Sequence, residues 1–290
     1  MKEKRWSKGI RVGLAYNAYV PKFLAAYPDA VDYVEVPFEL LQHDRAVIEI
    51  RNKKPIVLHC ASMSVAGSVP PTDATVRAIG EWTRRTGTPW LGEHLSFVTA
   101  DRSLAGENAE AYAPGEPYNI GYTVSPPMNP ASVNTVVRAV ELCHNRFPVP
   151  VVLENAPIYF QSPGTTMSQI EFIRAICDAS PVMLLLDLAH FYITSQTLDF
   201  DPFEAIETFP LERVVEAHIS GVSDDGDELW DNHASRAPEA VYRLLETVVE
   251  KAHRLQAITL EYNWSSRFPS DTLLDEIDRV RRTIDAQAVA

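Results

Sequence analysis

The chain has 290 residues, 46% of them hydrophobic and 22% charged, a balance that can bury a full core. No apolar run reaches the roughly eighteen residues of a membrane span, so a membrane is excluded as its setting. The net charge of −13 argues against nucleic acid as a ligand, because phosphate backbones are held by Lys and Arg.

The first residues, Met-Lys-Glu-Lys-Arg-Trp-Ser-Lys, are followed by no apolar segment of signal-peptide type, and a cytoplasmic location is expected. Short runs rich in Val, Ile and Leu then alternate with amphipathic stretches. The first three runs are Ile10–Tyr16, Tyr33–Pro37 and Pro55–Cys60. A helix is predicted over Thr72–Thr86, with Thr72 as its cap, ahead of the fourth run, Leu91–Val98. Residues 99–129 scatter Gly, Pro, Asn and Tyr with little periodicity and are predicted to form a long loop, a candidate lid or substrate-binding segment. A helix over Pro130–Arg146 leads to the run Val149–Asn155. A helix over Ser168–Ala179, with Ser168 and Glu171 at capping-box spacing, leads to Val182–Ala189. The runs Val214–Ser220 and Ala257–Tyr262 precede helices over Pro238–Arg254 and Ser270–Ala286.

Strands apolar on both faces belong to a parallel sheet covered by helices. Eight of them alternating with helices predict one α/β domain over residues 1–290, a (β/α)8 TIM barrel with its long loop after the fourth strand. A doubly wound sheet would show a Gly-rich phosphate loop after its first strand. Gly13-Leu-Ala-Tyr-Asn17 does not fit that pattern. Cys60, Cys143 and Cys177 form no CxxC pair and are expected to be buried, reduced thiols. Cys60 follows a candidate ligand on a strand, so its side chain should point to the opposite face.

The chemistry lies in where histidines and acids fall. His59 ends the third run and His94 lies in the fourth. Glu154 lies in the fifth, Asp187 and His190 in the sixth, His218 in the seventh and Glu261 in the eighth. Asp231 and His233 follow the seventh. Strand ends converge on one mouth in a barrel. Four acids and five histidines there would leave buried charge unpaired, at several kcal/mol each, unless cations bind them. Nine ligands exceed what one zinc or iron takes, so at least two metals are expected. Glu93 and Glu35 also lie near strand ends, and Glu35 is either a structural acid, an outer-shell acid or a substrate contact. Asn155 and Asn232 adjoin ligands and are candidates for orienting them. His43, His144 and His253 are expected at the surface.

These motifs resemble a known family. Leu58-His59 with Ser62 and Ser64, Glu93-His94-Leu95-Ser96, Leu153-Glu154-Asn155 with Tyr159, and Met167-Ser168 with Glu171-Phe172 are the first part of the likeness. Leu186-Asp187, His218-Ile-Ser-Gly221, Asp231-Asn-His233 and Leu260-Glu261 complete it. Together they look like the multinuclear non-heme iron-dependent oxidative enzymes, a former domain of unknown function that takes in the iron oxidase of methanobactin biosynthesis. The likeness runs from about Gly9 to Asn263. It implies a xylose isomerase-like barrel with two or three iron ions, Fe2+ or Fe3+, and dioxygen as co-substrate. It also implies a Cys-containing ribosomally made precursor peptide as substrate, and a small peptide-recognition protein as partner.

By the resemblance, His59, His94 and Glu154 hold one metal. Glu154, Asp187, His218 and Glu261 hold a second, and His190, Asp231 and His233 a third. Glu154, Asp187 and His190 are the candidate catalytic residues. Members of the family often carry Asn where this chain has His190, and a histidine there favours a filled third site. The same ligand order is similar to the endonuclease IV type of zinc phosphodiesterase and, more loosely, to divalent-metal sugar isomerases and epimerases. A nuclease needs a basic groove, for which Arg84, Arg85, Arg102 and Arg236 are the only candidates. An isomerase usually uses a lysine, and none stands at a strand end.

Overall fold

The computed structural model describes residues 9–41, 49–104, 113, 116–224, 226, 229–262 and 269–289. His43 lies outside them. In chain order the strands are β1 (Arg11–Ala15), β2 (Tyr33–Pro37), β3 (Ile56–Cys60), β4 (Leu91–His94), β5 (Phe97–Asp101) and β6 (Pro117–Val124). They continue with β7 (Val151–Glu154), β8 (Met183–Asp187), β9 (Val214–Ser220), β10 (Val222–Asp224), β11 (Leu229–Asp231) and β12 (Ala257–Glu261). Eight of these close into a barrel in the order β1-β12-β9-β8-β7-β4-β3-β2, all parallel. The predicted (β/α)8 architecture is therefore present, and no described helix is long and apolar enough to cross a membrane.

The predicted helices are present with their caps. Asp73–Thr86 starts at Thr72, whose hydroxyl accepts from Thr75 N. Pro130–Arg146 is capped by Asn129, and Gln169–Ala179 carries the complete Ser168/Glu171 capping box. Glu239–Lys251 and Ser270–Val289 occupy the last two predicted stretches.

Two boundaries differ. The fourth run does not continue to Val98, because β4 stops at His94 and a separate strand begins at Phe97. That strand pairs antiparallel with Pro117–Val124, so the stretch predicted as an irregular loop contains a β-hairpin. Its strand-forming Val, Thr, Tyr and Ile residues are diluted by Pro, Asn and Gly, which hides the period. Ser64, in the left-handed region at φ 49°, anchors the hairpin. Its hydroxyl accepts from Val98 N at 3.1 Å and from Thr99 N at 3.2 Å. The sixth run ends at Asp187 rather than Ala189, because the Asp187 carboxylate caps a helix, Leu188–Thr197, that starts at the next residue.

Alternation along the strands builds two tiers inside the barrel. The lower tier is a small apolar cluster of Tyr33, Val57, Trp90, Val152, Leu185, Val215 and Ala257. Two residues further along the same strands come Glu35, His59, Glu154, Asp187 and Thr259. Gly13 and Gly92 face this interior for want of space. A Cβ on Gly13 would stand 2.2 Å from the Tyr33 ring, and one on Gly92 would stand 2.5 Å from His59 Nδ1. The opposite strand faces pack on the helices in one continuous core.

Cys60 does point away from the barrel mouth. It is buried and unpaired, as are Cys143 and Cys177, and its thiol donates to Glu93 Oε2 at 3.0 Å. Met63 N donates to the same oxygen at 3.2 Å, so Glu93 braces the segment after β3 rather than facing the mouth. Burial raises the Glu93 carboxyl to about 8, against the opposing hydrogen bond from Cys60. The folded protein therefore holds an extra proton between about pH 4.5 and about pH 8, and its stability falls as pH rises through that window. Glu93→Gln carries no titrating group. Its urea midpoint relative to wild type should rise steadily across the window, whereas parallel curves would show that Glu93 is ionised in the fold.

Candidate metal centre

Each predicted ligand sits where strand alternation or a short turn delivers it. His59 lies one residue before the end of β3. His94, Glu154, Asp187 and Glu261 end β4, β7, β8 and β12, and His218 lies two residues before the end of β9. A register shift between β8 and β9 leaves Val215 without a partner, so that Glu216 pairs with Leu185 and His218 with Asp187. This irregularity sets the inward parity of the upper half of β9.

His190 lies in the first turn of the helix Leu188–Thr197, with its backbone N–H on Asp187 Oδ1 at 2.6 Å. Its Nδ1 lies 2.9 Å from the Asn155 carbonyl. Asn155 also grips the Asp187 backbone from both sides, its Nδ2 donating to Asp187 O at 3.0 Å and its Oδ1 accepting from Asp187 N at 2.9 Å. Asn155 thus orients two ligands at once. Asn232 acts differently, accepting from Ala234 N at 2.9 Å in a tight turn. That turn carries His233 in the left-handed region at φ 54°.

Asp231 ends β11, which pairs with β10 so that Asp231 lies opposite Val222. Its backbone N–H donates to Tyr159 Oη at 3.2 Å, and Tyr159 stacks on Trp230 at 4.8 Å between centroids. Met167, Ser168, Glu171 and Phe172 do not face the mouth. Ser168 and Glu171 cap a helix, and Phe172 is core.

The nine side chains gather around Glu154. Its Oε2 lies 3.1 Å from His59 Nε2 and 3.3 Å from His94 Nε2. Its Oε1 lies 3.5 Å from His218 Nδ1 and 3.6 Å from His190 Nδ1. Glu261 Oε2 is 3.2 Å from His218 Nδ1. On the far side, Asp231 Oδ2 is 2.9 Å from His190 Nε2, and Asp231 Oδ1 is 2.8 Å from His233 Nε2. Three sets each bring donor atoms within 4.8 Å of one another: His59, His94 and Glu154; Glu154, Asp187, His218 and Glu261; His190, Asp231 and His233. A further set, Glu35, His59 and His218, lies behind them. Glu35 is the residue that strand-end reasoning left undecided, and the alternation Tyr33-Val-Glu35 places it inward. His144 and His253 are exposed.

The electrostatics are those of a site short of cations. Burial pushes the Asp187 carboxyl up to about 7, with nearby Asp231, Glu154 and Glu261 adding to it. Burial also raises Glu154, but His94 and His59 outweigh it and hold that carboxylate well below its usual range. Burial lowers the His59 imidazole, yet Glu154 more than reverses this and takes it to about 10. His94 is lowered by burial and by its neighbour His59. Among the described residues six buried side-chain N or O atoms lack a hydrogen-bond partner, and four of them are His59 Nδ1, Glu154 Oε2, Asp187 Oδ2 and His218 Nδ1. Three of these, Glu154 Oε2, Asp187 Oδ2 and His218 Nδ1, point among the ligand sets and are atoms that a metal would satisfy. Mixed imidazole and carboxylate donors suit iron, zinc or manganese, so the residues fit the group.

A family model for the RiPP precursor modification enzymes MbnB/TglH/ChrH matches residues 11–285. A UPF0276 protein of Shewanella sediminis is 26% identical over 282 residues, covering 94% of each chain. Among solved structures, a xylose isomerase domain-containing protein from Salmonella typhimurium aligns with TM-score 0.61 and 15% identity over 94% of this chain and 97% of that one. Endonuclease IV from Thermus thermophilus aligns with TM-score 0.54 and 15% identity over 96% and 98%. At such identities these two likenesses establish the fold. With the family match spanning nearly the whole chain, this protein belongs to the MbnB/TglH/ChrH family of RiPP precursor modification enzymes.

Proposed function

We propose that the chain is a multinuclear non-heme iron oxidase that uses dioxygen to modify a cysteine residue of a ribosomally made precursor peptide. The observation that carries this reading is Glu154, one buried carboxylate within 3.6 Å of four histidines drawn from four different elements. A carboxylate so placed ties adjacent hard cations together. His59, His94 and Glu154 would hold the first ion, Glu154, Asp187, His218 and Glu261 the second, and His190, Asp231 and His233 the third.

Bound iron would supply one-electron chemistry and open positions at which a substrate thiolate and dioxygen meet. Glu154, Asp187 and His190 are the residues placed to act on reacting groups, since they lie where the three sets adjoin. Exposed aromatic side chains that could meet a peptide follow several of the barrel strands. Trp230, Tyr122 and Phe160 are 41%, 69% and 66% exposed, and each lies beyond the C-terminal end of a barrel strand. The C–H bond beside sulfur would be the one broken, its proton and two electrons passing to dioxygen, so that the carbon is oxidised and dioxygen reduced. A small peptide-recognition protein completes the proposed system.

The hydrolytic alternative is less well supported by the described residues. Of its four candidate arginines, Arg85 pairs with Glu81, Arg102 with Glu116 and Arg236 with Asp275, so three are engaged with acids. Anaerobic purification from iron-supplemented cells, followed by metal analysis, tests the proposal. About two or three iron ions per chain are expected, with oxygen uptake that depends on an added Cys-containing precursor peptide. Zinc alone after iron supplementation, with no oxygen uptake, overturns it.

A further inference from the structure

Behind the ligand cluster stands a carboxylate that the proposed ligand set does not use. Glu35, on β2, is 2% exposed. Its Oε2 lies 3.0 Å from His218 Nε2, and its Oε1 lies 3.7 Å from His59 Nδ1. Both nitrogens are on the ring edges turned away from Glu154. His59 presents Nε2 to Glu154 at 3.1 Å, whereas His218 presents Nδ1 to Glu154 at 3.5 Å and to Glu261 at 3.2 Å.

A neutral imidazole has one N–H donor and one acceptor nitrogen, and only the acceptor can bind a metal. An ionised carboxylate accepts hydrogen bonds and donates none. Glu35 therefore makes His218 Nε2 the protonated nitrogen and frees Nδ1 for the second position. Facing His59 Nδ1, it favours the opposite tautomer there and frees Nε2 for the first position. Resting on the metal-centre reading above, we infer that Glu35 is the positioning residue for the first and second metal positions, fixing ligation through Nε2 at His59 and through Nδ1 at His218.

The surroundings hold Glu35 for this role. Thr259 Oγ1 lies 3.3 Å from Glu35 Oε2 and 3.0 Å from Glu216 Oε1. Tyr33 Oη lies 2.7 Å from the Thr259 hydroxyl, and Trp90 Nε1 donates to Glu216 Oε2 at 2.6 Å. A hydrogen-bonded column thus runs from the apolar floor of the barrel up to the back of His218. The set Glu35, His59 and His218 also satisfies the spacing of a metal site of its own. Filling it together with the front positions would demand metal on both nitrogens of each ring, hence two imidazolates. A single carboxylate that accepts the His218 ring proton and faces the Nδ1 edge of His59 needs no such ionisation.

The test uses Zn2+ as the probe on the full chain, with titration calorimetry for stoichiometry and 15N NMR of labelled histidines for ring protonation. In the Zn2+-loaded wild type, His218 should appear as the Nε2–H form and His59 as the Nδ1–H form. Glu35→Ala should weaken Zn2+ at two positions by about 10–100-fold and leave the His190/Asp231/His233 position unchanged. Glu35→Gln should lie between, because its amide oxygen can still accept from one ring. Thr259→Val, which keeps the carboxylate but removes its hydroxyl partner, should give a smaller loss at the same two positions and serves if Glu35→Ala does not fold. His218 in the Nδ1–H form, equal weakening at all positions, wild-type affinity in a folded Glu35→Ala, or loss of one additional ion with the other positions intact each overturns the inference. A wild type that takes up no Zn2+ or other divalent metal overturns the metal-centre reading and this inference with it.

Discussion

Glu154→Ala should strip metal from two positions at once and abolish turnover, while His190→Ala depletes only the third. Glu154 is the shared member of the first two donor sets, with His59 and His94 at 3.1 and 3.3 Å from its Oε2 and His218 at 3.5 Å from its Oε1. Removing a shared ligand costs more than losing an outer-shell group, so affinity at both positions should fall by more than about 100-fold. The metal-free variant should also be weakened, because the histidines that Glu154 neutralises lose their partner. Breaking a buried ion pair from one side typically costs about 3–5 kcal/mol. His190 shares its imidazole Nε2 with Asp231 and belongs to the third set alone. Metal analysis and urea unfolding of the two variants separate these outcomes. Full metal content in Glu154→Ala would show that the sets are not joined through it.

The second large effect is expected at a residue that offers no ligand atom of its own. A Cβ on Gly221 would stand 1.8 Å from the Ser235 carbonyl oxygen and 2.4 Å from its carbon, both backbone atoms that cannot rotate away. Gly221 and Ser235 close the base of the segment that carries Asp231 and His233, and Ser235 Oγ donates to Val222 O at 3.0 Å across it. Gly221→Ala must therefore push that segment outward. A cost of about 1–3 kcal/mol or more is expected for such overpacking, together with loss of the third metal. Gly80→Ala is the control. It lies within the helix Asp73–Thr86, and its added Cβ meets nothing closer than 3.6 Å. It should be neutral or slightly stabilising. A Gly221→Ala protein with wild-type stability and full metal content would refute the account.

Much of this was legible in the sequence for a simple reason. Barrel strands are buried on both faces, so runs such as Val182–Ala189 stand out from amphipathic helices, and ionisable residues at their ends are costly without purpose. The capping residues Thr72 and Ser168 mark helix starts because their side chains satisfy backbone donors locally. What stayed hidden depends on contacts that no local pattern encodes. The hairpin of β5 and β6 is diluted by Asn, Gly and Pro. The inward placement of Glu216 follows from a bulge at Val215, and a bulge resets strand parity without a mark of its own. Glu35 shares one feature with any buried acid, and only the position of His218 across the barrel gives it a role. His190 was legible as a donor but not as a helical residue, because the cap at Asp187 acts two residues before the end of the apolar run.

That cap has a mechanical consequence. Asp187 and His190 sit three residues apart in a single hydrogen-bonded turn, and they serve neighbouring donor sets. The separation between those sets is thus pinned by peptide geometry, with almost no play. The first and second sets are linked instead through the rotatable arm of Glu154. If one spacing in the cluster stretches or shortens as metal binds, it should be the one governed by that flexible arm, with the helical turn acting as a stiff strut.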